Sequence, residues 1–272
     1  MLIDEVEYSR RLVLVSEAEG VVSLRQAVMG ALASWGISAA YFIAPLTADP
    51  RIGRLLTNIG MPRMWERHYR ARLYKIDPLP VLSQRHAGGF SWPEATDTAK
   101  LTAHQQRYLK IAARYGLARG IGAACYGPYG RSGFFGVAWP FSRKPMRRAV
   151  QAVHMIGQAS FQRYCQLVQP TIEVQPLSNR ELEVLSWMRE GKSNTVIAQI
   201  LEISRASVDM YVRRVFAKLE VTDRTGAVLR GYAMGMIVSN EHQQFMAEAQ
   251  ARDVGNWVEG AIEKTGTVKP AR

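Results

Sequence analysis

The residues best placed to do chemistry in this sequence stand close together, in MWERHYRARLYKIDPLP, residues 64–80. Trp65, Tyr69 and Leu73 recur at i, i+4 and i+8, so they share one face of a helix while Arg67, Arg70 and Lys75 point elsewhere. That face is either buried or lines a cavity. Asp77 before Pro78 has a second reading, as an N-cap followed by proline at the first helical position, opening a helix toward His86.

Catalytic machinery is not visible around it. None of the histidines, His68, His86, His104, His154 and His242, falls with a second ligand at metal spacing, and Cys125 and Cys165 form neither a knuckle nor a redox pair. RGIGAACYG and GPYGRSGFFG are glycine-rich, yet the first lacks a full dinucleotide fingerprint and the second a phosphate-loop lysine. A hairpin turn between two strands accounts for Gly127, Gly130 and Gly133. No G-x-S-x-G elbow occurs, and the acids of MLIDEVEYSRRLVL lack the early apolar strand of a phosphoacceptor receiver. The expectation is a protein without catalytic residues, metal or cofactor.

The elements that must hold Trp65 and Asp77 can be read from period and punctuation. Helical patterns run over about 4–17, 21–35, 63–74, 103–115 and 146–165, and strand-like runs are AAYFIAP, RIGRLLTN, LARGIGAACYG and GFFGVAWPF. Such a mixture implies a sheet with helices packed against it. The uncharged stretch Gln26–Ala48 is long enough to test as a membrane span, but its central Trp-Gly-Ile-Ser and Pro45 divide it into a short helix and a strand. Acids near the start argue against a secretory signal, so a cytoplasmic location without membrane contact is expected.

Length suggests two domains, and LVQPTIEVQPL reads as the link between them. The boundaries predicted are a sensing domain over 1–168, a linker over 169–177, a helical domain over 178–238 and an extension over 239–272. In the extension Phe245, Ala249, Trp257 and Ile262 suggest a helix or two packing on a partner subunit, or a frayed end. The net charge of +12 does not lie in the helical domain, since residues 1–172 hold 22 Lys+Arg against 10 Asp+Glu and residues 173–238 hold 9 against 8.

Within the helical domain LSNRELEVLSWMREGK opens with a capping box of Ser178 and Glu181, lines one side with Leu182, Leu185 and Met188, and stops at Gly191. A helix from about Asn194 to Leu201, a turn over 202–204 and a helix from Arg205 to Leu219 follow, with Ser193 and Ser204 placed to cap. Val208, Val212, Val215 and Leu219 form the buried stripe of the second helix, leaving Arg205, Asp209, Arg213, Arg214 and Lys218 for other faces. Two short helices around a tight turn can present the second to a DNA major groove, although a solvated charged face on a bundle has the same pattern.

The stretch from Leu177 to Ile237 resembles the C-terminal domain of LuxR-type transcriptional regulators: LSNRELEVL, GKSNTVIAQIL, ISRASVDMYVRRVFAKL and TDRTGAV match in order and spacing. Glu181, Leu185 and Gly191 correspond to the family's constant structural residues. The resemblance implies double-stranded DNA as a partner and a homodimer suited to palindromic half-sites. Asn194, Thr195, Ser204 and Ser207 at the helix starts suit phosphates, Arg213 could read a guanine, and Arg214 and Lys218 suit phosphates, with Arg205 on the same helix. Asp209 stands where the family has Lys or Arg, and Tyr211 where it often has His; Asp209 either accepts from a cytosine or holds Arg213 at i, i+4.

The upstream residues resemble the autoinducer-binding domain of LuxR-type quorum-sensing receptors: W-x-x-x-Y at Trp65 and Tyr69, Asp77–Pro78, Trp92 in GFSWPEA, and YGLARG ending at Gly120. That likeness implies an α/β/α sandwich with an antiparallel sheet, enclosing a small-molecule autoinducer, an acyl-homoserine lactone. Trp65 would then donate to the lactone carbonyl and Asp77 accept from the amide, with Tyr69 and Trp92 as apolar walls. Three departures stand out. Met61 occupies the place of a tyrosine whose hydroxyl serves the amide carbonyl, the gap from Tyr69 to Asp77 is one residue shorter, and Ala124 or Cys125 stands near the usual proline. The expected function is a ligand-responsive transcriptional regulator; the alternative is a regulator that is ligand-independent or ligand-inhibited, its core filled by its own side chains, Met61 among them.

Overall fold

The strand-forming runs pair into one antiparallel sheet whose two faces are both covered, as alternating large side chains require. A computed structural model describes residues 5–49, 53–168 and 175–238, and the chain divides into two units at residues 172 and 173. Residues 169–174 of the expected linker, and all of the expected extension with Phe245 and Trp257, lie outside the described residues.

In the first unit α1 (Glu5–Ser16) and α2 (Val21–Ala33) precede the strands β1 (Ala40–Asp49) and β2 (Gly53–Ile59). The stretch tested as a membrane span is thus split between α2 and β1, and among the described residues no helix is long and apolar enough to cross a membrane. Next come α3 (Arg63–Ala71), a 3-10 turn over Leu73–Lys75, α4 (Leu79–Ser83), β3 (Phe90–Trp92), α5 (Glu94–Thr98) and α6 (Ala103–Ala112). The hairpin β4 (Gly120–Tyr126) and β5 (Ser132–Ala138) and the long α7 (Arg147–Val168) complete the unit. The five strands run in the order β2-β1-β5-β4-β3.

Strand period 2 sorts the core into two. Ala40, Phe135, Val137, Ile121 and Cys125 pack against α1, α2 and α7 on one face. Tyr41, Ile43, Leu56, Phe134 and Ala124 pack against α3, α4 and α6 on the other. Sequence reasoning missed β3, which is too short to show a period, and carried the 103–115 helix past Ala112 into the wider turn Ala113–Leu117, within which Gly116 takes φ 86°. The hairpin glycines also divide by role. Gly130 sits at φ 70° in the turn, whereas a Cβ on Gly133 would lie 2.8 Å from Phe161 and one on Gly127 2.9 Å from Cys165, so these two are bare because α7 presses on them.

The second unit is all helix: α8 (Asn179–Arg189), α9 (Asn194–Leu201), α10 (Arg205–Leu219) and α11 (Arg224–Ala233), around Val184, Leu185, Met188, Ile197, Val208, Val215 and Leu219. Val212, expected in the buried stripe, is half-buried. The capping box forms, with the Ser178 amide donating to Glu181 Oε2 at 2.7 Å and the Glu181 amide to Ser178 Oγ at 3.4 Å. Gly191 adopts φ 72° just past α8, the left-handed stop that glycine takes without strain.

Glu181 does more than cap. Lys218 on α10 donates to its Oε2 at 2.6 Å, and the Glu181 side chain is only 3% exposed. Burial alone would raise this carboxyl, but Lys218 and the Ser178 donors outweigh it and hold the pKa below the ordinary 4.5. A depressed acid contributes stability above its unfolded pKa and loses it as pH falls through the folded one. Glu181→Ala is therefore expected to destabilise the helical unit by about 1–2 kcal/mol at pH 7. The deficit relative to wild type should shrink below pH 4.5, read from the urea transition at 222 nm.

Candidate functional site

The α3 face that carries Trp65 and Tyr69 turns inward against β1, and both side chains are fully buried. Pro62 precedes the helix without a side-chain cap; the entry is fixed instead by Asn58, whose Oδ1 accepts from the Met61 amide at 2.8 Å and whose Nδ2 donates to Glu66 at 2.8 Å. Arg70 lies outward and bonds Glu66 and the Leu56 carbonyl, at 3.0 and 2.7 Å. The segment thus has a basic outer side and an aromatic inner one.

Asp77, expected to cap a helix with Pro78 at its first position, stands one residue before the N-cap of α4, which is Pro78 itself, and its two oxygens bond different partners. Oδ1 accepts from the Leu79 amide at 2.9 Å at the start of α4, the local backbone role, while Oδ2 accepts from the Tyr69 hydroxyl at 2.9 Å. Tyr69, expected to be an apolar wall, therefore also supplies a polar tip. Arg54 of β2 ties the corner by donating to the Tyr74 and Leu46 carbonyls, each at 3.0 Å. Burial pushes the Asp77 carboxyl up to about 6, against the opposing pull of the Leu79 amide, Arg54, Tyr69 and Tyr108.

Around this carboxylate the Trp65 Nε1 donor is fully buried without a hydrogen-bond partner, and the fully buried Tyr41 and Tyr108 hydroxyls have none of strict geometry. The Tyr41 and Trp65 rings lie 4.8 Å apart, Trp65 and Tyr69 5.1 Å, and Tyr69 and Tyr108 6.5 Å. Burial first, then the negative charge of Asp77, pushes the hydroxyl pKa values of Tyr41, Tyr69 and Tyr108 well above the usual tyrosine range. Tyr108 nonetheless stands close enough to both Asp77 and Tyr41 to lower their pKa values as a hydrogen-bond partner, although neither contact reaches strict hydrogen-bond geometry. Nothing in the sequence marked Tyr41 or Tyr108, because each reads as an inward aromatic of an ordinary strand or helix.

The remaining expected ligand contacts sort by chemistry. Trp92 Nε1 is already committed to the Leu117 carbonyl at 3.0 Å, which leaves its ring as the available surface. Gly120 is what admits that ring, since a Cβ there would lie 1.9 Å from Trp92 Cζ2. Met61 is buried in the same cluster as Trp65 and Tyr69. On the opposite face a cleft of about 210 Å³ is lined by Val21, Leu24, Val28, Phe42, Leu55 and Phe161. Arg25, Thr57, Asn58, Ser160 and Tyr164 also line it, so the cleft is mainly apolar with polar groups among its walls, and none of the buried, unpartnered polar atoms of the described residues belongs to it.

In the helical unit α9 and α10 meet through a turn in which Glu202 takes φ 53°. Ser193 Oγ and Ser204 Oγ accept from the Val196 and Ser207 amides at 3.3 and 3.1 Å, and the Ser204 and Ser207 hydroxyls lie 2.8 Å apart. Arg213 and Arg214 are exposed and Thr195 stands exposed at the start of α9. Three expectations need correction. Lys218, expected on phosphate, turns inward to Glu181 and to the Pro176 carbonyl at 3.1 Å, because a buried carboxylate attracts it more strongly than solvent does. Asp209 pairs with Arg205 at 4.0 Å and accepts from Asn194 Nδ2 at 2.7 Å, rather than holding Arg213. Asn194 is therefore committed, its Oδ1 also accepting from Arg224 at 3.2 Å, and its side chain bridges helices in place of a phosphate contact.

Comparison with known proteins bears on both units. Residues 22–164 match the autoinducer binding domain model, and residues 175–230 match that of bacterial regulatory proteins of the luxR family. The putative HTH-type transcriptional regulator y4qH of Sinorhizobium fredii is 26% identical over 71% of this chain, which spans 62% of that relative's length. The transcriptional activator protein BjaR1 of Bradyrhizobium diazoefficiens is 25% identical over 82% of the chain and 94% of its own length. A crystal structure of Escherichia coli SdiA shares the fold, with a TM-score of 0.61 at 21% identity over 87% of this chain and all of that one.

A pH dependence follows from Asp77. A carboxyl raised from 3.8 to about 6 adds stability fully present below pH 3.8 and lost as pH rises through about 6. Between pH 4 and 7 the ligand-free protein should lose about 3 kcal/mol through this group, the linkage equivalent of two pKa units. Urea unfolding of wild type and Asp77→Asn across that range checks it: the difference between them should change with pH around 6, whereas parallel profiles would remove the assignment.

Proposed function

This chain belongs to the LuxR family of autoinducer-binding transcriptional regulators, and from that premise we propose that its signal is an acyl-homoserine lactone held between the sheet and the α3–α6 layer. The observation that carries the reading is the buried Trp65 indole N–H without a partner beside the buried Asp77 carboxylate. Together they form a donor and an acceptor in an apolar, aromatic surround, the combination that orients a small polar head group.

In this reading Trp65 donates to the lactone carbonyl and Asp77 Oδ2 accepts from the amide N–H. Tyr69 holds Asp77 in place and walls the ligand together with Trp92 and Met61, while Gly120 sets the depth of Trp92. A regulator closed by its own side chains is disfavoured, because such a core gives no reason to bury donors with nothing to bond.

The helical unit docks α10 in the major groove of double-stranded DNA as part of a homodimer on a two-fold site. Arg213 reads a base, while Arg205, Arg214, Thr195, Ser204 and Ser207 face the phosphates, and Lys218 serves the domain's interior instead. Glu181, Leu185 and Gly191 keep their structural roles. We assign 1–168 to sensing, 178–238 to DNA binding and the cytoplasm as the place of action.

Two measurements test this. Thermal denaturation with acyl-homoserine lactones of 4 to 14 acyl carbons should show at least one raising Tm by about 5–10 °C at a hundredfold excess over Kd; a flat response across the panel sinks the ligand assignment. In DNA titrations Arg213→Ala should weaken specific binding by about 10–100-fold and nonspecific binding far less. Equal losses would move Arg213 to a phosphate.

A further inference from the structure

The cleft between α2 and α7 holds apolar side chains that a folded chain ordinarily hides. Leu55 is 63% exposed there, and Val21 and Tyr164 are exposed beside it. The floor follows from the strand register: Phe42 stands opposite Thr57 and Ala44 opposite Leu55, so all four turn to the same side of the β1–β2 pair. Leu24 and Val28 come from α2 and Phe161 from α7, while Ala44 fills little of the space between them. The volume of about 210 Å³ is below the roughly 300–1,000 Å³ of pockets that enclose drug-sized molecules. Such a slot suits one flexible hydrocarbon chain better than a ring system or a helix.

The slot has a charged end. Arg25, Thr57 and Asn58 line both the cleft and an open hollow beside it, whose other walls include Arg63, Glu66 and Arg70. The arginines outnumber the one glutamate of that hollow, and Glu66 is already engaged by Arg70 and Asn58. Arg25 and Arg63 are exposed, and among the described residues Arg25 has no hydrogen-bond or ion-pair partner. A guanidinium fork beside an apolar slot recognises a carboxylate at the end of a chain and repels a cationic head group.

We propose that this cleft is a binding site for a free fatty acid, its acyl chain in the slot over Phe42 and its carboxylate on Arg25, with Arg63 adding to the positive field. The site lies across the sheet from Trp65 and Tyr69, so it does not depend on what their pocket binds. Because the cleft is lined from α2, α7 and the edge strand β2, a bound acid ties three elements of the unit together.

The test titrates the full chain with saturated fatty acids from hexanoate to tetradecanoate, each below its critical micelle concentration, with dodecyltrimethylammonium as the cationic counterpart. Kd is expected to fall about tenfold for every two methylenes added until the slot is filled. Arg25→Gln should raise Kd for dodecanoate about tenfold by removing a charge-assisted bond. Thr57→Trp, which sets an indole at the exposed edge of the floor, should abolish binding. Both positions are exposed, and the ligand-free Tm of each variant checks the fold; should Thr57→Trp lower it, Arg25→Gln alone decides. Failure of every acid to bind wild type overturns the proposal, as does wild-type affinity for dodecanoate in Arg25→Gln or in a folded Thr57→Trp. Equal affinity for the cationic amphiphile overturns it too. Sedimentation in which Thr57→Trp turns a dimer into a monomer, with no acid bound by wild type, assigns the face to a second copy of this chain instead.

Discussion

The sensing unit is organised around one buried carboxylate. Asp77 is 5% exposed, and every element near it contributes a group to its environment: the Leu79 amide from α4, the Tyr69 hydroxyl from α3, the Arg54 charge from β2 and the Tyr108 dipole from α6. A lone carboxylate in an apolar core would protonate or expel itself. Here the partners hold its pKa at about 6, high for an aspartate but low enough to leave it charged near neutrality. The aromatic face of α3 and the α4 corner are fixed relative to each other because both bond the same side chain.

That arrangement works only because the sheet has two independent faces. Along β1 the side chains alternate, Ala40 and Phe42 with α2 and α7, Tyr41 and Ile43 with the α3 layer. The α1–α2–α7 side is mainly apolar and supplies cohesion, though it too buries the Trp35 indole N–H without a partner, while the other face carries the Asp77 carboxylate. Glycines mark where the polar face needed space: Gly136 beneath Tyr41 and Gly120 beneath Trp92. In each case the missing Cβ is replaced by an aromatic ring, which keeps the packing dense.

Much of this was legible beforehand. The i, i+4 repeat of Trp65 and Tyr69 fixed their shared inward face, the caps at Ser178, Ser193 and Ser204 fixed three helix starts, and the turn between α9 and α10 falls where the sequence placed it. Long-range partners were not legible. Lys218 and Glu181 lie 37 residues apart, and nothing local distinguishes a lysine aimed at a buried acid from one aimed at a phosphate. Asp209 failed for the opposite reason: an i, i+4 rule offers two arginines, Arg205 and Arg213, and the choice depends on Asn194 from another helix. Tyr41 and Tyr108 were invisible as polar groups, since burial of an aromatic says nothing of whether its hydroxyl finds a partner.

A buried donor without a partner has an energetic consequence for a domain that encloses a small molecule. An unsatisfied buried group costs about 1–3 kcal/mol, a sizeable part of the margin by which a domain of this size is stable, and the Trp65 indole N–H is such a group. Under the proposed reading a ligand carbonyl that accepts from Trp65 removes that cost on being enclosed, so its polar head contributes to stability as part of the core would. An apolar filler of the same volume would gain the burial of its own surface but leave the indole unsatisfied. Selectivity for a carbonyl-bearing ligand would then follow from the buried donor alone, with no rejection of competitors.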